Sequence, residues 1–236
     1  MEKGICYGVS VGPGDPELLT LKSIRIIENT DIIFLPSAPK ENCRVYKIIK
    51  SAMDLGLLKA IDEERFICVE TMPMANPNMQ GERYDTLARE VIKYLDNGKS
   101  VAFPALGEVG LYSTYYYVHE RLVSKGYRCE LVSGISSVQE IADKVAVSIA
   151  KGDEQVHIFP DTKDLANRLL QSGTKVFMKP KSDLETTIEA IREYAESHKD
   201  VKVYGVSNCG TKEEVVARNL EELSNLSGYM TVLIVK

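Results

Sequence analysis

The sequence predicts an α/β protein built as two domains. Short apolar segments alternate with stretches whose apolar residues recur at three- and four-residue spacing, the signatures of buried strands and amphipathic helices. Several of the apolar segments end abruptly in glycine or proline turns, as strands of an open sheet do along their ligand-binding edge. The chain has 236 residues, enough for one large or two medium domains. Its 44% hydrophobic and 27% charged residues are the ordinary balance of a globular enzyme.

The first strand spans 4–11, with Ile5, Tyr7, Val9 and Val11 as its apolar positions. It stops at Gly12-Pro13-Gly14-Asp15-Pro16, where the glycines permit close backbone approach and the prolines fix φ. Asp15 is a candidate N-cap with Pro16 at the first helical position, and Thr20 starts a further helical stretch. Strands follow at 31–35, 65–69, 99–104 and 128–132, with helices at 20–29, 44–55, 82–96 and 114–125 between them. Gly98 and Gly126 end two of those helices. Residues 36–81 are rich in Met, Pro, Asn and Lys; they read as a lid or partner surface, or as loop padding.

The second half repeats the alternation. Strands are expected at 155–159, 174–178, 201–206 and 230–235, and helices at 137–145, 163–171, 183–197 and 213–223. Ser137 with Glu140, Ser182 with Glu185 and Thr211 with Glu214 each match the capping box. The change of character near Ser133-Gly134 predicts a boundary, giving an N-terminal α/β domain of 1–133 and a C-terminal one of 134–236. A cleft between two such domains is a natural ligand site.

Composition excludes several classes. The net charge of −5 and the lack of a basic stripe argue against nucleic acid as partner. The five cysteines form no C-x-x-C pair and the three histidines are far apart, so neither a zinc site nor a disulfide framework is predicted. No run of 18 apolar residues and no leader pattern appears, which predicts a cytoplasmic protein away from membranes. The opening turn lacks the G-x-G-x-x-G fingerprint and the P-loop Gly-Lys-Ser/Thr, which disfavours a nicotinamide-dependent oxidoreductase.

Four further strand ends carry turns of the same kind. They are Leu106-Gly107-Glu108-Val109-Gly110, followed by Ser113 and Thr114; Ser133-Gly134-Ile135-Ser136-Ser137; Met178-Lys179-Pro180; and Ser207-Asn208-Cys209-Gly210-Thr211. Five such turns converging on one crevice would bind a small polar ligand, which physical argument alone does not name.

The order of these turns resembles the tetrapyrrole (corrin/porphyrin) methyltransferase family across the whole chain. Residues 11–22 follow the pattern V-G-P-G-D-P-x-L-L-T-L-K, and Gly107 to Thr114 align with G-D-P-x-x-Y-S-T. Ser133 to Ser137 align with P-G-I-S-S, Met178 with a motif methionine, and Asn208 to Thr211 with N-x-G-T. The Tyr112-Ser113-Thr114 form and the Met72-Pro73-Met74 spacer are most similar to the C-20 methyltransferases of cobalamin biosynthesis, which act on cobalt-factor II or precorrin-2. Glu108 and Val109 replace the Asp-Pro of the motif, and Ser133 its proline.

The resemblance implies two α/β domains of the tetrapyrrole methylase type with S-adenosylmethionine in the cleft between them, and no protein-bound metal. On the donor it implies Pro13, Leu106, Gly107, Glu108 and Leu111. Tyr112, Ser113, Thr114, Ser136 and Ser137 follow in the same role. Met178, Gly210, Tyr229 and Thr231 would surround the adenosine. Gly12, Pro13, Gly14 and Asp15 would face the macrocycle, whose carboxylates need local positive groups such as Lys40 and Arg44, with Lys22 and Arg83 nearby. Glu108 reads either as a positioning group near the sulfonium or as a structural carboxylate. Family resemblance also implies a homodimer. Rival readings are another branch of the family, at a different corrin position, on uroporphyrinogen III or in diphthine synthesis, and a non-catalytic nucleotide-binding module.

Overall fold

A computed structural model describes residues 2–37, 39–68, 77–180, 184–198, 200–228 and 230–236. The chain forms two compact units, Met1–Ser136 and Ser137–Lys236. The Met72-Pro73-Met74 spacer, Ser182 and Tyr229 lie outside the described residues.

The first unit holds β1 (Cys6–Ser10), β2 (Ile32–Leu35), β3 (Phe66–Cys68), β4 (Val101–Ala105) and β5 (Cys129–Val132). They form one parallel sheet in the order β3-β2-β4-β1-β5. The helices are α1 (Leu21–Asn29), α2 (Arg44–Asp54), α3 (Pro77–Asp96) and α4 (Tyr115–Ser124). Strand alternation sends Val9 and Val11 to a core shared with Ile27 of α1 and Ile49 of α2. Cys6 joins the opposite core, with Val91 and Leu95 of α3 and Tyr115 and Leu122 of α4. Both faces of the sheet are therefore covered, as a parallel sheet requires.

Gly8 lies at the centre of β1, where a Cβ would stand 2.2 Å from Cε1 of Tyr115. The glycine makes room for that fully buried ring, which also packs against Phe103 with ring centres 5.2 Å apart. The Tyr115 hydroxyl and Cys6 Sγ share a hydrogen bond of 3.5 Å.

The helix ends are built from local chemistry. Asp15 accepts from the Glu17 N–H at 2.9 Å and caps a short 3-10 turn that begins at Pro16. Thr20 Oγ1 accepts from the Ser23 N–H at 3.1 Å and caps α1. At the other end of α1 the Arg65 guanidinium donates to the carbonyls of Ile27 (2.8 Å) and Glu28 (3.2 Å), as well as to that of Thr30. A cation there also suits the negative end of the helix dipole. Thr20→Ala is expected to cost about 1 kcal/mol of stability. The urea midpoint would fall accordingly, and Thr20→Ser would restore most of it.

The second unit holds β6 (Val156–Phe159), β7 (Thr174–Met178), β8 (Val203–Ser207), β9 (Val215–Ala217) and β10 (Thr231–Val235), in the order β6-β7-β10-β8-β9. Strand β10 runs antiparallel to β7 and β8 on either side of it. Its helices are α5 (Ser137–Lys144), α6 (Leu165–Leu169) and α7 (Leu184–Ser197).

One expected element differs. Residues 213–223 were expected to be helical, but they contain β9 and a 3-10 turn at Glu222–Asn225. Glu214 Oε2 accepts from the Gly210 N–H at 2.7 Å and Thr211 Oγ1 from the Glu213 N–H at 3.2 Å. These bonds resemble a capping box, yet they close a turn. The β-branched Val215 and Val216 then pair with Ser207 and Val206 of β8.

Candidate functional site

In the first unit the carboxyl ends of β1, β4 and β5 stand side by side, because β1 pairs in parallel with both neighbours. The turns that follow are joined to one another. The Gly107 N–H donates to the Gly12 carbonyl at 2.8 Å, linking the β4 and β1 turns in a short antiparallel bridge.

Glu108 ties all three turns. Its Oε2 accepts from Ser10 Oγ at 3.1 Å, at the end of β1, and from the Gly134 N–H at 2.6 Å, after β5. Its Oε1 accepts from the Gly110 N–H at 3.0 Å within its own turn. Ser10 Oγ in turn accepts from the Val109 N–H at 2.8 Å, and Ser23 Oγ donates to the Ser10 carbonyl at 2.8 Å. The Ser133 carbonyl, where the motif has proline, accepts from Thr20 Oγ1 at 3.4 Å. A Cβ on Gly134 would lie 2.5 Å from that of Ser10, so the β5 turn can approach β1 only with glycine there. Both carboxylate oxygens of Glu108 are thus engaged in structure.

Gly12 and Pro13 are buried, with Gly14 and Asp15 half-buried behind them. Leu106 and Leu111 are half-buried and Tyr112 is exposed, with a left-handed backbone at φ +51. Ser113 Oγ accepts from the Tyr115 N–H at 3.3 Å, whereas Thr114 makes no side-chain cap bond at the start of α4. Capping is therefore the work of Ser113, which leaves the Thr114 hydroxyl outside that role.

The positive groups expected beside the macrocycle stand differently. The Lys40 ammonium is paired with Glu63, whose other oxygen accepts from the Tyr46 hydroxyl at 3.1 Å. That pairing raises the pKa of Lys40 and lowers that of Glu63. Arg44 opens α2, Lys22 is exposed on α1, and Arg83 lies in α3.

In the second unit, antiparallel β10 starts where β7 and β8 end, so Thr231 lies opposite Ser207 and Val232 opposite Met178. The Ser207 and Thr231 hydroxyls share a bond of 2.7 Å, and Thr231 Oγ1 also lies 2.8 Å from the Gly228 carbonyl. Met178 is buried. The turn after β8 takes left-handed values at Asn208 (φ +53) and Gly210 (φ +71). Glu214 anchors that turn through the Gly210 N–H, and its Oε1 pairs with Lys144 Nζ at 3.2 Å. Burial beside Glu214 and Glu140 pushes the Cys209 thiol up to about 12. Ser136 is buried and Ser137 opens α5. Among the described residues no group of three or more His, Cys, Asp or Glu could hold a metal ion, and no helix is long and apolar enough to cross a membrane.

A parallel sheet covered on both faces and a mixed sheet, each with turns gathered where its strands end, define an α/β protein of two units. The chain belongs to the tetrapyrrole (corrin/porphyrin) methylases, whose family model matches residues 6–224. It is 33% identical, over 98% of its length and 95% of the relative's, to a protein of Methanocaldococcus jannaschii described as a probable cobalt-precorrin-2 C(20)-methyltransferase. It is 25% identical to the precorrin-2 C(20)-methyltransferase of Sinorhizobium sp, over 98% of this chain and 95% of that one. Among solved structures it shares its fold with a cobalt precorrin-4 methyltransferase, at a TM-score of 0.73 and 16% identity over 98% of this chain and 94% of the other.

Proposed function

We propose that the protein is an S-adenosylmethionine-dependent methyltransferase that methylates C-20 of cobalt-factor II or precorrin-2 during cobalamin biosynthesis. The observation that carries this reading is the likeness, along nearly the whole chain, to two relatives named for the C(20) position.

The strand-end turns suit such a donor, which is part apolar ring system and part zwitterion. Leu111 and Tyr112 offer apolar surface beside a Thr114 hydroxyl that does not cap its helix. In this reading Leu106, Gly107, Leu111, Tyr112, Ser113 and Thr114 hold one side of the donor. Ser136 and Ser137 add hydroxyl groups, while Met178, Gly210, Tyr229 and Thr231 contact the adenosine. Pro13 sits against both reactants, and Gly12, Gly14 and Asp15 meet the macrocycle with Arg44. Lys40 would join them only by leaving Glu63.

When bound, S-adenosylmethionine supplies a methyl group already activated by its sulfonium. The protein's work is then to orient two reactants and exclude water. Orientation alone contributes up to about 7–11 kcal/mol in favourable cases. Glu108 serves this indirectly, by fixing the three turns against one another. The same family resemblance supports a homodimer, which sedimentation velocity would test.

Incubation with S-adenosylmethionine and either cobalt-factor II or precorrin-2, followed by NMR of the product, is expected to place the new methyl on C-20. Methylation at another carbon would move the protein to a different branch. Calorimetry that detects no binding of S-adenosylhomocysteine would overturn the enzyme reading altogether.

A further inference from the structure

Lys179, a sheltered cation at a strand end of the second unit, has no carboxylate partner among the described residues. Lys179 directly follows β7 and its side chain is half-buried. Its backbone is left-handed, at φ +50, a conformation that a lysine adopts only when its neighbours impose it. Its N–H donates to the Thr231 carbonyl at 3.0 Å, which holds it there, although the buried Pro180 that follows would by itself favour an extended backbone.

Of the other sheltered lysines, three pair with carboxylates, and Lys175 has only the face of an aromatic ring. Lys40 pairs with Glu63, Lys144 with Glu214 and Glu140, and Lys236 with Glu154. Lys175 lies 5.9 Å from the centre of the Tyr194 ring. Lys179 pairs with no carboxylate among the described residues, and burial lowers its pKa below the usual lysine range. Removing an ammonium from water without a partner is unfavourable, so folding alone gives no reason to keep a cation there.

Its location supplies one. Lys179 stands at the edge where β7 and β8 end and β10 begins, beside Met178 and Thr231. The polar groups of that edge already have partners. The Ser207 and Thr231 hydroxyls bond each other, and Glu214 is held by Lys144 and the Gly210 N–H.

We propose that Lys179 is a ligand anchor whose ammonium pairs with a carboxylate brought in by a reactant. This deepens the methyl-transfer reading and rests on it, because both reactants of that reaction carry carboxylates: the amino-acid end of the methyl donor, and the acetate and propionate arms of the macrocycle. The chemistry is the same in either case, a charge-assisted bond that completes a desolvated cation.

Lys179→Met, which keeps the stem and removes the charge, separates the two sources. The measurements are calorimetric binding of S-adenosylhomocysteine and of 5′-methylthioadenosine, which lacks the carboxylate, together with the KM for cobalt-factor II. If the donor supplies the carboxylate, S-adenosylhomocysteine binding weakens by about tenfold or more while 5′-methylthioadenosine binding holds. If the macrocycle supplies it, both nucleosides bind as before and the KM rises by about tenfold or more. In either case Lys179→Arg retains most of the affinity and Lys179→Met melts no lower than the parent.

The proposal is overturned if all three quantities stay within about twofold of the parent, or if the two nucleosides weaken together. A fall in melting temperature with unchanged affinities also overturns it, since that marks a structural lysine. The nucleoside measurements do not depend on which carbon is methylated. A parent enzyme that methylates elsewhere would therefore defeat the C-20 reading and leave the anchor standing.

Discussion

Glu108→Ala is expected to destabilise the first unit by about 2–4 kcal/mol and to lower kcat/KM by about a hundredfold or more. The first figure takes roughly 1.5–3 kcal/mol for a hydrogen bond to a charged group, with the two bonds that share Oε2 counted as less than additive and the exposed one at Gly110 as minor. The second follows from the catalytic cost of about a hundredfold for misplacing reacting groups by roughly 1 Å. Without the carboxylate, the Gly134 N–H and Ser10 Oγ lose their acceptor, and the β5 turn is no longer tied to β1. Glu108→Gln should fall between parent and alanine, because its amide nitrogen would set a donor against a donor on one side. Urea denaturation and a methyl-transfer assay check both figures. An alanine variant with parental stability and rate would show that the three-turn tie does not organise the site.

Tyr115→Ala is expected to cost about 3–5 kcal/mol, the range for removing a large aromatic from a packed core. The ring is fully buried, lies over Gly8 of β1, and packs against Phe103. Nothing else can fill its volume, since Gly8 has no side chain to move inward. Tyr115→Phe should be much milder, losing only the bond to Cys6 Sγ. Gly8→Ala should be destabilising by about 1–3 kcal/mol through overpacking. Combined with Tyr115→Leu it should recover part of that loss. Urea midpoints of the three single variants and the double variant measure this. An alanine variant at Tyr115 within about 1 kcal/mol of the parent would contradict the packing described.

Much of the architecture is legible in the sequence because period and turn chemistry agree there. The apolar runs that become β1, β4 and β7 are short and end in glycine or proline, and Thr20 caps α1 as its position predicts. The segment after Thr211 misleads for a physical reason. Thr211 and Glu214 stand at capping-box spacing but bond to the Glu213 and Gly210 N–H groups and close a turn, and Val215 and Val216 pair with β8. Cross-strand pairing is invisible to local spacing.

The same limit applies to the site. The five turns can be read as turns, but the role of Glu108 depends on Ser10 and Gly134, which lie 98 and 26 residues away in sequence. Lys40 reads as an available cation until Glu63 and Tyr46 are seen beside it. The mid-strand Gly8 did carry a usable signal, since glycine inside a strand often marks close approach by another group. Lys179 offered less, because no residue-type preference announces a lysine with a left-handed backbone.

The interleaved strand order also bears on how the chain is made. Strand β1 is synthesised well before its hydrogen-bonding neighbours, Val101–Ala105 and Cys129–Val132. At about 5–20 residues per second, that strand waits many seconds with both edges unpaired. The space over Gly8 has no Tyr115 to fill it during that interval. The arrangement that gathers three turns at one edge of the finished sheet thus leaves the nascent chain with an open, apolar strand that a chaperone could hold.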